Sequence, residues 1–235
     1  MSITEDALAR LQELIVSGEL APGSRLPPEP ELASRLGVSR GSMREAVRAL
    51  SHMRLIEVRR GCGTFVTALE PAGLLDGVRI AAEAARDDAI FDIFQVRRLL
   101  EPAAAGMAAT RASATQLDEL RADLVAMRTA TTNPAEFMRH DEAFHDRIAT
   151  IAGNPWLAAL LRGLAAPATG ARTRRLGAGQ QVPQLTITQH EQIFGAIASG
   201  DSALAEATAL LHIATTAEGL RALLQQATEN ELEGR

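Results

Sequence analysis

Apolar residues recur along this 235-residue chain at helical spacing, with one short interruption. In "TEDALARLQELIVSGEL", Leu8, Leu11, Leu14 and Ile15 share a face, and Thr4 followed by two acids predicts the helix start. Gly18 ends it. No helix crosses "APGSRLPPEP", because proline lacks the amide hydrogen and clashes with the preceding turn. A short helix follows in "PELASRLG", with Leu32, Ala33 and Leu36 inward and Gly37 as its stop. A third starts after Ser39 in "SRGSMREAVRALSHM", with Met43, Ala46, Val47 and Leu50 inward. Then "LIEVRRGCGTFV" breaks the period: 55–59 and 64–67 predict two short strands around a tip at Gly61–Gly63. Helix, tight turn, helix and hairpin together predict a winged helix-turn-helix.

After a Pro/Gly-containing stretch, 68–89, the pattern is helical only. Helices are predicted near 90–111, 114–130 (Ser113 cap), 134–152 (Asn133 cap), 155–168, 184–199 and 201–228 (Asp201 cap). The expected organisation is therefore mostly α: a winged domain over 1–67, a linker over 68–89, and an antiparallel all-α bundle over 90–230.

Charge changes the picture in one place. The net charge is −5, yet residues 35–60 hold seven arginines against Glu45 and Glu57, a local balance of +5. Such a patch on a helix-turn-helix fits phosphates. Arg40, Ser42 and Arg44 lie on the first turns of the third helix, the part that enters a major groove, where arginine forks onto guanine. No apolar run approaches the ~20 residues of a membrane span. The N-terminal segment lacks the apolar core of a signal peptide, and the single cysteine, Cys62, precludes an internal disulfide. The expectation is a cytoplasmic protein without membrane contact.

Candidate chemistry lies in the bundle. In "RHDEAFHDRI", Asp141 and His145 are one helical turn apart and share a face. His190 ("TITQHEQIF") and His212 ("LLHIATT") sit mid-helix among apolar neighbours, namely Ile187, Ile193 and Phe194, and Leu204, Leu211 and Ile213. His140 points about 100° from Asp141, towards solvent. Three core histidines and a carboxylate are costly to bury unpaired, so a divalent metal is the economical explanation. Imidazole with carboxylate suits zinc first, with nickel, manganese or iron as alternatives. Glu142 and Glu191, about 100° off the ligand face, are expected to stand away from the site. Arg97 in "QVRRLLE" can grip a carboxylate, or it can form a surface ion pair with Glu101 at i+4. Thr186, one turn before His190, is a candidate hydrogen-bonding partner for a ligand hydroxyl.

Two resemblances cover nearly the whole chain. "SGELAPGSRLPPEPELASRLGVSRGSMREAVRALSHMRLIEVRRGCGTFV" resembles the winged helix of the GntR family of bacterial transcription regulators. That resemblance implies operator contacts by Arg40, Ser42 and Arg44, with Gly61 at the wing tip. Pro30 departs from an arginine that touches DNA in many members, and Arg54 from a common glycine before the wing. The second half resembles the FCD effector domain of the FadR subfamily through "VRRLLEPAAAGMAA", "DEAFHDRI", "GNP", "QHEQI", "AIASGD" and "LHI". It implies Asp141, His145, His190 and His212 as metal ligands and Arg97 as the partner of an organic-acid effector. The details look most similar to sugar-acid, galactonate-type regulators. Together these imply a ligand-responsive regulator, a repressor by family habit, working as a homodimer on a pseudo-palindromic operator. The rival from another class is a metal-dependent enzyme fused to a DNA-binding module, which would need a base beside metal-bound water.

Overall fold

A computed structural model describes residues 3–84, 87–165 and 182–233 and divides the chain into two units, 1–74 and 75–235. The first holds α1 (Ile3–Val16), α2 (Glu29–Leu36), α3 (Arg40–His52), the hairpin β1 (Ile56–Arg59) and β2 (Gly63–Val66), and the short α4 (Pro71–Leu74). Its core is the predicted one: Leu11, Leu32, Met43, Ala46 and Leu50 are fully buried, with Ile56 and Val66 closing it from the hairpin. Thr4 lies inside α1 and is not its cap. Pro30 sits in the first turn of α2, where a missing N–H costs nothing. Gly37 ends that helix at φ 66°, and Arg10 Nη1 donates to the exposed Leu36 carbonyl at 2.9 Å. Ser39 caps α3 by accepting from the Ser42 amide at 3.0 Å.

The strands pair antiparallel with Ile56 opposite Val66 and Arg59 opposite Gly63. The segment before α2 lies along β2 as well: Leu26 N donates to the Thr64 carbonyl and Val66 N to Ser24 O. That third line of pairing was not legible in the sequence, because "APGSRL" carries turn residues and no alternation. Gly63 holds φ 114°, a conformation that side chains rarely adopt, and a Cβ there would sit 2.6 Å from Arg25 Nε.

In the second unit every described element is a helix: α5 (Asp76–Glu83), α6 (Asp87–Ala109), α7 (Ala114–Thr129), α8 (Pro134–Ile151), α9 over 155–165, α10 (Val182–Ala198) and α11 (Ser202–Glu233). The linker stretch turns helical, as its sequence suggests, and from Leu75 on it belongs to this unit. The expected end of α9 near 168 lies outside the described residues. Ser113 and Gln116 form a capping box on α7, Asn133 caps α8, and Asp201 accepts from Leu204 N at the head of α11. α6 packs along α11, α7 along α8, and α10 along α11 and α7. Phe137, Phe144, Leu120, Met127, Ile193 and Ile197 fill the centre. Arg147 fastens α8 to α7 through Asp123 and Glu119, each at 2.7 Å. Leu204 and Leu211, read from sequence as core neighbours of His212, are instead about half exposed, because they fall on the outer face of α11.

Candidate functional site

Three helices deliver the four candidate ligands. α8 supplies Asp141 and His145 one turn apart, α10 supplies His190, and α11 supplies His212. His190 and His212 are fully buried, Asp141 nearly so, and the His145 side chain keeps 17% of its surface. One nitrogen from each histidine lies within 4.8 Å of those of the other two. The Nε2 atoms of His190 and His212 are 3.2 Å apart, and Asp141 Oδ1 is 3.6 Å from His190 Nε2. These two separations are short enough for one cation to touch all three groups, and His145 stands beside them.

The tautomers agree with that use. His212 Nδ1 donates to Gln189 Oε1 at 3.0 Å, which leaves Nε2 with its lone pair towards His190. His145 Nδ1 lies 3.3 Å from Glu101 Oε2, and its Nε2 is buried with no hydrogen-bond partner among the described residues. A buried nitrogen without a hydrogen-bond partner is costly, and a lone pair there can be satisfied by a cation. Phe144 stacks on the His190 ring, with centroids 4.6 Å apart, and holds it in place. The residues present fit a divalent metal. If bound, it would supply a Lewis-acidic centre with positions left over for an oxygen ligand.

Beside this cluster opens a cavity of about 380 Å³. It is lined by Arg97, Glu101, Arg139, Asp141, Glu142 and His145, and on its apolar side by Ala149, Leu161 and Ala165. Arg97 is 3% exposed; its Nε donates to Glu101 Oε1 at 2.5 Å, and its Nη1 is buried with no hydrogen-bond partner among the described residues. The i+4 pair with Glu101 therefore forms, but in the interior and not on the surface. Burial pushes the Glu101 carboxyl up, yet the Arg97 guanidinium and His145 outweigh it and hold the group at about 2.

Other expectations fare unevenly. Glu142 lines the cavity, against the expectation that it stands off the site, because the opening reaches around α8 beyond the ligand face. Glu191 does turn away, to Arg128. Thr186 is buried but is not among the cavity's lining residues. His140 faces Glu136 and Arg139, off the cluster. Glu101 and Gln189 were not singled out as site residues. The i+4 spacing of Glu101 from Arg97 was visible, whereas Gln189 was hidden by its proximity to His190.

In the first unit, Arg40 and Arg44 are exposed one turn apart on α3, with Arg48 a turn further. Arg44 Nε is 4.0 Å from Glu29, and Arg48 pairs with Glu45. Ser42 is half-buried, its hydroxyl 2.9 Å from Ser39 Oγ at the helix cap. Gly61 is exposed at the wing tip with φ 73°. Arg59 stacks over Phe65 at 4.4 Å and stiffens the wing.

Among the described residues, no helix is long and apolar enough to cross a membrane. Residues 3–66 match the bacterial regulatory proteins of the gntR family, and residues 92–215 match the FCD domain. The chain is 31% identical over 222 residues to the galactonate operon transcriptional repressor of Escherichia coli, covering 93% of this chain and 96% of that one. It is 29% identical over 217 residues to the transcriptional regulator LutR of Bacillus subtilis, covering 91% and 99%. The solved structure of Streptococcus agalactiae GntR superposes with a TM-score of 0.67 at 27% identity, covering 92% of this chain and 99% of that one. The chain belongs to the GntR family of bacterial transcriptional regulators, with an FCD effector domain behind its winged helix.

Proposed function

We propose that this regulator senses a small organic acid at a metal held by Asp141, His145, His190 and His212, and that the acid releases it from its operator. The observation that carries the reading is the buried His145 Nε2, which has no hydrogen-bond partner among the described residues, beside two histidine nitrogens 3.2 Å apart and a cavity reached by Arg97. The ligand's carboxylate takes the open metal positions and the free edge of Arg97, a planar fork that matches it. A cavity of about 380 Å³ accommodates an acid of a few carbons to a sugar acid. The galactonate repressor of E. coli supports the second class by name alone. Zinc is the metal of first choice for a three-histidine, one-carboxylate set, with nickel, manganese or iron as alternatives.

On the DNA side, Arg40 and Arg44 read base edges while Gly61 lets the wing approach the backbone. Two chains present two such helices to a pseudo-palindromic operator, and the acid shifts an equilibrium between arrangements of different operator affinity. Repression is the sense of control we assign, and transcription regulation without turnover is the whole activity.

The test is a panel of organic acids, from lactate to hexonates, screened for thermal stabilisation of the zinc-loaded protein and then for release of operator DNA. An acid that stabilises the protein and releases DNA supports the reading. Conversion of the acid to product by the purified protein would instead favour an enzyme.

A further inference from the structure

Glu101 stands between the metal cluster and the ligand cavity, and both of its oxygens are committed. Oε1 accepts from Arg97 Nε at 2.5 Å, and Oε2 lies 3.3 Å from His145 Nδ1. The second contact is a hydrogen bond only if Nδ1 carries the ring proton. The lone pair then sits on Nε2, the buried atom without a partner among the described residues. The first contact fixes one edge of Arg97 and leaves Nη1 buried beside the cavity.

We propose that Glu101 is a positioning residue that couples the two halves of the site, holding His145 in its metal-ligating tautomer and Arg97 in its carboxylate-gripping orientation. This rests on the metal-site reading above. A divalent cation on Nε2 makes His145 Nδ1–H a stronger donor and draws Glu101 towards it. Arg97 then keeps more of its charge for the ligand. A carboxylate on Arg97 does the reverse: it draws the guanidinium away and releases Glu101 to His145. Both displacements have the same sign, so metal and carboxylate raise each other's affinity, as linkage requires. Gln189 does only half of this, orienting His212 with no link to the cavity.

The experiment measures zinc affinity by competition with a chromogenic chelator, with and without saturating acetate as a minimal carboxylate. Wild type is compared with Glu101→Gln. In wild type, acetate should tighten zinc binding about fivefold or more, the usual lower range of coupling between sites. The variant should bind zinc about 10- to 100-fold more weakly, and the acetate effect should shrink to what direct contact of acetate with the metal leaves. If Glu101→Gln fails to fold, Glu101→Asp serves: it keeps the charge but is one methylene too short to reach both partners, so the acetate effect must shrink there too. Wild-type zinc affinity in the variant, or an acetate effect as large as in wild type, overturns the inference. Absence of an acetate effect in wild type overturns it too, while leaving the metal site standing. If wild type takes up no zinc, the metal reading fails and this inference fails with it.

Discussion

Acid should weaken the bundle through Glu101 in a way that one substitution isolates. In the folded chain this carboxyl titrates at about 2 against an ordinary 4.5, because Arg97 and His145 overcome the effect of its burial. On acidification the unfolded chain takes up the proton first. The stabilisation is therefore complete above about pH 5 and is lost as pH falls towards 2. The gap between the two values corresponds to about 3 kcal/mol at neutral pH and to about 2 kcal/mol at pH 3.5. Glu101→Gln removes the charge at every pH while keeping the volume. Without metal, the variant should be less stable than wild type by about 3 kcal/mol at pH 7, the deficit shrinking by about 1 kcal/mol by pH 3.5. Urea unfolding followed by circular dichroism, with chelator present, at pH 7, 5 and 3.5 measures it. A deficit that stays constant, or grows as pH falls, would refute the assignment of Glu101 as a charged partner of Arg97.

Replacing Arg40 or Arg44 by alanine should cost about 1–3 kcal/mol of operator binding if each forks onto a base, with zinc binding unchanged; wild-type affinity by fluorescence anisotropy in both variants would remove α3 as the reading helix. The full chain should sediment as a dimer at micromolar concentration without DNA, since two half-sites must be met at fixed spacing; a strict monomer would contradict that arrangement. Arg54 holds φ 58° just before the wing, a conformation that costs a side chain about 1–2 kcal/mol. Arg54→Gly should raise the stability of the first unit by about 0.5–1 kcal/mol once glycine's greater unfolded freedom is counted, and a loss in thermal denaturation would show that the arginine side chain holds this turn.

The sequence was most readable where local rules coincide with packing. Ser39, Ser113 and Asn133 each cap the helix that they were expected to start, and the inward sets of α2 and α3 are buried except for Leu36, which is only partly so. Asp141 and His145 were paired by period alone; their meeting with His190 and His212 depends on how α8, α10 and α11 pack, and it was anticipated from the cost of burying them unpaired and from the resemblance. Burial was harder to read than spacing. Arg97 and Glu101 look like an exposed i+4 pair until α11 and α8 close over them, and Leu211 looks like core until α11 is seen to bury its other face. The alignment of Ser24–Leu26 with β2 had no local signal, because it is made by backbone hydrogen bonds between segments far apart in sequence.

Whether Asp141, His145, His190 and His212 hold a metal is decided by elemental analysis of purified wild type and His190→Ala, each after equilibration with zinc and gel filtration. Wild type should carry close to one metal ion per chain and the variant far less, with operator binding retained by both because the winged helix is a separate unit. A wild type that holds no stoichiometric metal, or a variant that holds as much as wild type, would make the buried histidines core packing and contradict the sensor.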